Sequence, residues 1–314
     1  MRIRSKEWRM VMQHGVYYFK QIQNEMELED RETSFSSSKI DRIYCGSALD
    51  IGRFELKAGI LFYIEPLGVM RSYYIVSGFC KNLKSGEYFR AGDMLVFDEF
   101  DELMTLHVED DMVLLIHSEK NRVIESFRES NALLIQILNE IQDKDHYTKD
   151  HSIRVFKLVK QMAIARGYHS QRLFDINKAA RFHDVGKIHV PDEVLNKPSK
   201  LNQPEFEIIK KHVSNSKDMI SEYFNDNIYR IIEQHHERLD GSGYPKGLRA
   251  DEILEESKIL AICDSYDAMT TDRVYKAAKE HEEAIGELLE MAGSQYDAEL
   301  VNLFIELFPQ KPEL

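Results

Sequence analysis

Two pairs of adjacent polar residues in the C-terminal half of the chain could bind an ion and activate a substrate on it. His183 and Asp184 end the apolar stretch AARFHD just before Gly186, and His235 and His236 end the stretch IYRIIEQHH. Adjacent side chains on a helix point about 100° apart, so neither pair can chelate one ion as residues four apart can. Each pair therefore fits two interpretations: a polar helix end, or part of a metal cluster whose other ligands lie elsewhere.

Three more residues offer ligands of the same chemical type. His151 opens a predicted helix, His212 lies on the polar side of PEFEIIKKHV, and Asp264 interrupts the apolar run KILAICDSYDAM. Because an unpaired buried carboxylate is costly, Asp264 needs a partner, either a metal cation or an arginine such as Arg273. Imidazole and carboxylate groups on several helices are typical ligands of a two-metal site in a helical bundle.

Helical periodicity predicts the elements that would position these ligands. From Asp150 onward the apolar patterns recur at helical spacing, and Pro204 stands where a first helical turn would begin. We expect residues 146–314 to form an all-α helical bundle. The residues that share helix faces are Val155, Leu158 and Met162, then Leu173, Ile176, Ala180 and Phe182, then Ile208, Ile209 and Val213.

The N-terminal part of the chain has a different residue pattern, typical of β-strands. Residues 35–118 contain five or more short runs rich in β-branched and aromatic residues, which predicts an all-β sandwich or small barrel. In one run Met104, Leu106 and Val108 alternate as one buried strand face does. Residues 1–34 are predicted to form a helix and a polar linker, because apolar residues recur there at helical spacing: Trp8, Met12, Phe19, Ile22 and Met26.

The stretch YYIVSGFCKNLKSGEYFRAGDMLVF resembles the cupin family, in which a glycine turn, a hairpin and a GD turn connect successive strands. The resemblance implies a jelly-roll domain that senses a small ligand or a partner. Metal-binding cupins carry histidines before the first glycine turn, whereas only His107 and His117 occur here, and later, so we expect no metal in this domain. A cyclic-nucleotide-binding jelly roll is the alternative, although VFDEFDELMTL is acidic where that family carries a phosphate-binding arginine.

Residues 119–145 are predicted to form a helix that connects the two regions. Such an amphipathic helix could pair with its copy in a homodimer, or pack on its own domain. Its apolar stripe consists of Val123, Phe127, Leu134, Leu138 and Ile141.

Composition narrows the class of protein. The 314 residues carry a formal net charge of −13, which argues against a partner such as DNA or RNA, although a few local cations could hold a small phosphate ligand. No run approaches the ~20 apolar residues of a membrane span, so we expect a cytoplasmic protein. Cys45, Cys80 and Cys263 are too few and too widely spaced for a disulfide framework, and each is expected to be a buried thiol.

Residues 145–308 closely resemble the HD-GYP family, a branch of the HD phosphohydrolases. The words YTKDHSIRV, RFHDVGKIHVPDEVLNKPSKL, KKHV, HHERLDGSGYPKGL and ILAICDSYDAMTTDRVY occur in the family's order and approximate spacing. Ser199 stands where the family commonly has glycine, but this departure lies in a loop and not at a ligand.

The resemblance implies a binuclear metal centre in which Asp184 and a hydroxide bridge the two ions. Family members with a third metal have a glutamate four residues before the first histidine ligand, and here that residue is Tyr147. Imidazole and carboxylate ligands fit iron or manganese better than structural zinc, and the sequence does not choose between those two metals. The implied ligands are His151, His183, Asp184, His212, His235, His236 and Asp264.

The family's activity is hydrolysis of cyclic di-GMP to the linear dinucleotide pGpG, with onward hydrolysis to GMP left open. In this family Lys187 would contact the scissile phosphate or assist the leaving 3′-oxygen, and the positions of Tyr244, Arg273 and Lys276 contact the nucleotide. The same cations could instead be solvated surface residues. Glu237 would orient a histidine ligand, and the turn after it would be shaped by Asp240, Gly241, Gly243 and Pro245.

Two other functions remain open at the level of sequence. The substrate could be another cyclic dinucleotide, such as the mixed GMP-AMP ring, because no base-reading residue can be identified. The chain could also be a catalytically silent receptor that binds the nucleotide or a signalling protein. The ligand of the cupin-like domain and the direction of its regulation are likewise open.

Overall fold

The computed structural model describes the helical C-terminal half almost completely and the N-terminal half in several stretches. The described residues are 9–13, 16–20, 34–35, 38–45, 50–66, 70–97, 100–118, 137, 140, 144, 148–221, 223–272 and 277–312. The chain divides into two compact units, one of Met1–Ala132 with His169–Gln171 and one of Leu133–Tyr168 with Arg172–Leu314.

The first unit contains an antiparallel sheet that has ten strands within the described residues. The strands pair in the order β1-β2-β9-β7-β10-β5-β4-β3, while β6 pairs with β10 and β8 pairs with β7. Their bounds are β1 (Arg9–Gln13), β2 (Val16–Lys20), β3 (Ser34–Phe35), β4 (Ser38–Cys45), β5 (Asp50–Leu56), β6 (Leu61–Ile64), β7 (Arg71–Asn82), β8 (Tyr88–Arg90), β9 (Asp93–Phe97) and β10 (Met104–Ser118).

The predicted N-terminal helix is wrong where the structure describes it. β1 and β2 pair antiparallel, with Gln13 opposite Val16, and β2 also pairs with β9. The run VYYF in β2 is β-branched and aromatic, and this composition favours a strand when a sheet edge is available for pairing. The sheet therefore begins before residue 35. Ser34, the last residue of the predicted helix and linker, begins β3. The rest of the predicted linker and the remainder of the helix, including Trp8, Ile22 and Met26, lie outside the described residues.

β10 confirms the predicted alternation and joins two runs that the sequence separates. Leu106 and Val108 are buried, and Met104 packs against the same core. LMTLHV and DMVLLIHS belong to one continuous strand, whose pairing with β7 shifts register between Val108 and Leu114. Gly78 on β7 faces this irregularity, because a Cβ there would lie 2.3 Å from the Asp111 carbonyl oxygen.

The core of the sheet unit is apolar and aromatic. Cys80 is buried, as predicted, and burial raises the pKa of its thiol to about 12. His117 contacts Ser72 through Nδ1 at 3.2 Å, and His107 contacts Glu109 at 3.0 Å. The core residues are Phe54, Leu56, Phe62, Ile64, Tyr73, Ile75, Cys80, Phe89, Leu95, Phe97, Leu106, Val108, Met112, Leu114 and Ile116.

The second unit is helical, as the periodicity predicts. The helices are α1 (Thr148–Ala165), α2 (Ser170–Phe182), α3 (Asp192–Leu195), α4 (Gln203–Lys210), α5 (His212–Ile220), α6 (Asp226–Gln234), α7 (Glu255–Thr270), α8 (His281–Met291) and α9 (Ala298–Leu307), with 3-10 helices at Val185–His189 and Ala250–Glu252. α1 packs along α7, and the first 3-10 helix packs against α5. None of the described helices is long and apolar enough to cross a bilayer.

Local sequence sets the boundaries of these helices. α4 begins with a capping box, in which the Asn202 side chain accepts from the Glu205 backbone and the Glu205 carboxylate accepts from the Asn202 backbone. Pro204 lies in its first turn, as predicted. Cys263 is buried in α7, as predicted, whereas the side chain of Cys45 lies outside the described residues.

The predicted connecting helix is described at three positions. Ile137, Glu140 and Lys144 are helical, and Ile137 is buried. The Lys144 ammonium donates to the Ile188 carbonyl oxygen, and the Asn196 amide donates to the Lys144 carbonyl oxygen at 3.1 Å. The predicted apolar stripe (Val123, Phe127, Leu134, Leu138 and Ile141) lies outside the described residues.

Candidate metal centre

The seven predicted ligands come from five parts of the helical unit and meet in its interior. α1 carries His151, α5 begins with His212, and α7 carries Asp264. The pair His183 and Asp184 follows the last residue of α2, and the pair His235 and His236 follows the last residue of α6. Each adjacent pair lies at a helix end, where the change of backbone direction lets neighbouring side chains reach one cluster.

The ligand atoms form two groups. The atoms offered by His151, His183 and Asp184 lie within 4.8 Å of one another. Those offered by His212, His235 and His236 also lie within 4.8 Å of one another. Asp264 joins the first group, since its Oδ1 lies 3.1 Å from His151 Nε2 and 3.8 Å from His183 Nε2.

Asp184 lies between the two groups. Its Oδ2 is 3.6 Å from His183 Nε2 and 3.8 Å from His151 Nε2. Its Oδ1 faces the other group, 3.4 Å from His212 Nε2. One carboxylate therefore presents a separate oxygen to each half of the cluster, as a ligand shared by two ions does.

Backbone carbonyl groups orient three of the histidines. Nδ1 of His183 contacts the Ala180 oxygen at 2.9 Å, that of His212 contacts the Ile209 oxygen at 2.8 Å, and that of His235 contacts the Ile232 oxygen at 2.6 Å. Each partner lies three residues earlier in the chain. Because a carbonyl can only accept, each Nδ1 carries the proton and each Nε2 keeps its lone pair for the cluster.

Two of those Nε2 atoms test whether the site fits a metal. Nε2 of His212 and Nε2 of His235 are buried, and neither has a hydrogen-bond partner in the described protein. Buried polar atoms nearly always have a partner, and these two are turned toward the same carboxylate-lined space, where a bound cation would supply one. The residues therefore fit a divalent metal centre of imidazole and carboxylate ligands.

Asp267 orients His151, a role that sequence reasoning missed. Its Oδ2 lies 2.7 Å from His151 Nδ1, and both carboxylate oxygens accept from the Arg154 guanidinium, at 2.6 and 3.0 Å. Asp267 is 1% exposed. The available signal was spacing. Arg154 follows His151 by three residues on α1, and Asp267 follows Asp264 by three residues on α7. Residues three apart share a helix face, so Arg154 and Asp267 meet where His151 and Asp264 meet.

The electrostatics of the site set most of the candidate ligands in metal-binding protonation states. Burial lowers the pKa of His212 to about 4 and that of His235 to about 3, so both are neutral at pH 7. Burial alone would raise the pKa of Asp184, but the Lys187 ammonium and the adjacent imidazoles hold it well below its usual range. Burial lowers the pKa of His151, but hydrogen bonds with Asp264 and Asp267 outweigh it and raise the value to about 9, so without a metal His151 is protonated at pH 7 and must release that proton when an ion binds. Burial would raise the pKa of Asp264, but its hydrogen bond with His151 outweighs burial and holds the pKa well below its usual range, so this carboxylate stays charged.

Gly186 allows the two groups to approach each other. A Cβ on this residue would lie 1.9 Å from the His212 carbonyl oxygen and 2.8 Å from the Ser216 nitrogen. The obstacle is backbone, which cannot rotate away as a side chain does. The 3-10 helix after Asp184 can therefore press against the start of α5 only because residue 186 has no side chain.

The predicted substrate residues are described in part. Lys187 donates to Asp184 Oδ2 at 2.6 Å, which places a cation beside the shared carboxylate. Tyr244 stacks on the ligand His236, with ring centroids 4.7 Å apart and planes 29° apart. Arg273 and Lys276 lie outside the described residues, as does Tyr147, the residue that bears on a third metal.

The loop after His236 differs from expectation at one residue. The oxygens of Glu237 accept from the backbone nitrogens of Lys246 and Leu248, at 2.7 and 2.9 Å, so its hydrogen bonds hold the loop and do not orient a histidine. The chain turns back past Glu237, which brings these two backbone N–H groups within reach of its carboxylate.

The turn residues occupy the positions predicted for them. The Asp240 carboxylate accepts from the Ser242 nitrogen at 2.9 Å, and Gly241 has φ +81°. A Cβ on Gly243 would lie 2.4 Å from the Arg238 nitrogen, so the loop passes directly over the backbone of the preceding helix end. Pro245 follows Tyr244 and is exposed.

Comparison with known proteins assigns the helical half of the chain. Residues 135–300, which are more than half of the chain, match the HD domain family. The chain belongs to this family. The adjacent pair His183 and Asp184 lies within the matched residues.

Three curated relatives are similar to this chain over 148 to 181 residues. A cyclic di-GMP phosphodiesterase of Thermotoga maritima is 38% identical over 179 residues, covering 55% of this chain and 48% of the relative. Cyclic di-GMP phosphodiesterase PA4108 of Pseudomonas aeruginosa is 35% identical over 181 residues, covering 57% and 43%. The 3′3′-cGAMP-specific phosphodiesterase 1 of Vibrio cholerae is 34% identical over 148 residues, covering 47% and 34%. The matches thus cover half or less of the length of these relatives.

Substitution of Gly186 by alanine is expected to separate the two groups of the HD domain. The added methyl group must displace the His212 backbone, so we expect the Gly186→Ala protein to bind less metal and to lose about 1–3 kcal/mol of stability. Gly286→Ala is the matched control, because nothing lies within 4 Å of a Cβ at this position of α8. Elemental analysis and chemical denaturation measure both effects, and equal behaviour of the two variants would contradict the packing described for Gly186.

Substitution of Asp267 by asparagine is expected to weaken metal binding while the fold is kept. The variant removes the charge that orients His151, and loss of such a supporting group typically costs 10- to 100-fold in metal affinity. The measurement is competition for the metal against a chelator, with Asp251→Asn, at an exposed position, as control. An unchanged affinity in Asp267→Asn would show that His151 does not depend on this carboxylate.

Proposed function

We propose that this chain hydrolyses cyclic di-GMP to pGpG, with two metal ions held by the seven residues of the candidate centre. The observation that carries the proposal is the position of Asp184, whose two oxygens face different groups of histidines. When bound, a metal pair supplies a nucleophile derived from water at neutral pH and withdraws charge from the phosphodiester. Onward hydrolysis of pGpG to GMP would use the same centre.

The protein residues around the centre have distinct tasks in this proposal. Asp184 holds the two groups together, and Asp264 belongs to the group of His151 and His183. The Lys187 ammonium lies 2.6 Å from Asp184 Oδ2. From this position beside the centre it would bind a phosphate oxygen of the substrate or stabilise the leaving 3′-oxygen. Tyr244, Arg273 and Lys276 would contact the rest of the nucleotide.

The relatives support two candidate substrates. The Thermotoga maritima and Pseudomonas aeruginosa proteins are named as cyclic di-GMP phosphodiesterases, which favours the first candidate. The Vibrio cholerae relative is named as specific for 3′3′-cGAMP, so the mixed GMP-AMP ring is the second candidate. Both rings present the same phosphodiester to the metal centre and differ in one base.

The N-terminal unit is proposed to regulate this activity. A cupin-like jelly roll at residues 35–118, now extended by β1 and β2, would bind a small ligand or a protein partner. The connecting helix at 119–145 would carry the signal to the domain at 146–314, and it could also form a homodimer. Its described end supports this route, because Lys144 hydrogen-bonds Ile188 in the 3-10 helix that follows Asp184. The whole protein would act in the cytoplasm.

The metals are proposed to be iron or manganese, two per chain. The ligands are imidazoles and carboxylates without a thiolate, which suits these ions better than a structural zinc. Elemental analysis of protein purified without oxygen is expected to find about two equivalents of iron or manganese. Zinc as the sole metal would contradict the choice of iron or manganese, and three equivalents would contradict the proposal that Tyr147 leaves a binuclear site.

The double substitution His183→Ala plus Asp184→Ala is expected to abolish hydrolysis. It removes the shared carboxylate and one ligand of the first group, so activity should fall to the background of the buffer. The assay follows pGpG and GMP from cyclic di-GMP, and in parallel the products of 3′3′-cGAMP, with metal-loaded protein. Turnover that survives in the double variant would refute the mechanism. Binding without turnover by the unmodified protein would instead identify a receptor.

A further inference from the structure

Phe206 on α4 continues a row of rings that starts at the metal centre. Tyr244 stacks on the ligand His236, and the Phe206 ring meets the Tyr244 ring edge-on, with centroids 6.4 Å apart and planes at 77°. Phe206 is 40% exposed. Single exposed apolar side chains are common on protein surfaces and need no function. Phe206 differs because its ring lies only one aromatic contact away from a metal ligand.

Lys210 adds a cation to this row. It lies one turn after Phe206, and its ammonium nitrogen lies 4.9 Å from the Phe206 ring centroid and 5.4 Å from that of Tyr244. Its salt bridge is to Glu207, at 2.9 Å, and the Glu207 side chain is 52% exposed. Such an exposed pair contributes little stability, so a phosphate oxygen can replace the carboxylate.

The packing of α4 gives no alternative reason for an exposed phenylalanine. None of the eight residues of the helix is buried. The helix begins with its capping box, Lys197 donates to both oxygens of Glu205 at 2.6 and 2.7 Å, and Ile208 and Ile209 are half-buried. Phe206 therefore does not anchor the helix in a core, and the surface that it presents at the side of the metal centre is open to a ligand.

We propose that Phe206 and Lys210 form a second nucleotide subsite beside the metal centre. A nucleobase stacks on the open side of the Phe206 ring, and Lys210 binds a phosphate oxygen of the same nucleotide. This deepens the proposed function and rests on it, since a cyclic dinucleotide has a second phosphate and a second base that the metal centre does not hold. Stacking tolerates any base, so the subsite raises affinity for nucleotides without selecting guanine over adenine.

Binding of GMP and of ribose 5-phosphate to the full metal-loaded chain separates the two interactions. Both probes carry a phosphate, and only GMP carries a base. In calorimetry, Phe206→Ala is expected to weaken GMP binding about tenfold and to leave ribose 5-phosphate unchanged. Lys210→Gln is expected to weaken binding of both probes. Phe206→Tyr keeps an aromatic face and should keep the GMP affinity.

Two controls keep the test independent of folding. Tyr223→Ala removes another exposed aromatic side chain of the same unit, 47% exposed, and should change neither affinity. Phe206→Leu keeps apolar bulk without a ring and should reproduce the loss seen in Phe206→Ala. The metal content of every variant is expected to equal that of the unmodified protein, because neither Phe206 nor Lys210 belongs to the ligand set.

The results distinguish this subsite from the proposed activity. Unchanged GMP affinity in Phe206→Ala and Phe206→Leu, or an equal loss for both probes, would overturn the subsite. If GMP binding depends on Phe206 while cyclic di-GMP is not hydrolysed by the unmodified protein, the subsite stands and the proposed activity fails. If cyclic di-GMP is hydrolysed and Phe206→Ala does not change the Michaelis constant, the proposed activity stands and the subsite fails.

Discussion

The helical unit depends on the burial of imidazole nitrogens that the described part of the chain does not satisfy. Nε2 of His212 and Nε2 of His235 are removed from water without a partner among the described residues. Leaving a buried polar atom unpaired costs about 1–3 kcal/mol, so such atoms persist only where the surrounding packing enforces them or an external ligand satisfies them. The surrounding contacts do enforce them here, since the other nitrogen of each ring is fixed by a carbonyl three residues earlier in the chain.

The two halves of the centre are held by different physical means. His183, His212 and His235 are oriented locally, by carbonyl groups three residues away. His151 is oriented across the fold, by a carboxylate on another helix that an arginine of its own helix holds in place. The first type of support forms whenever the helix forms. The second requires α1 and α7 to be docked, so the first group of ligands is complete only in the folded unit.

Features set by local sequence could be predicted, whereas contacts between distant parts of the chain could not. The seven residues of the candidate centre could be selected from the sequence because characteristic words contain them, and the helices were predictable from apolar periodicity. Asp267 was not, because its contact with His151 joins positions 116 residues apart. The role of Glu237 depended on a loop that folds back by nine residues to Lys246, which spacing alone does not reveal. At the N-terminus, the spacing of the apolar residues indicated a helix, whereas the β-branched and aromatic composition of β2 and its pairing with β1 and β9 favour the strand.

The absence of buried residues in α4 has a consequence for how a large cyclic ligand could enter. The first turn of α4 is fixed by an end cap and surface ion pairs, whereas its last turn carries the Ile209 carbonyl that orients His212. Moving the first turn takes no buried side chain out of a core and breaks only a few exposed hydrogen bonds, which water can replace. The entrance to the centre could therefore widen at the start of α4 while Ile209 keeps His212 in place.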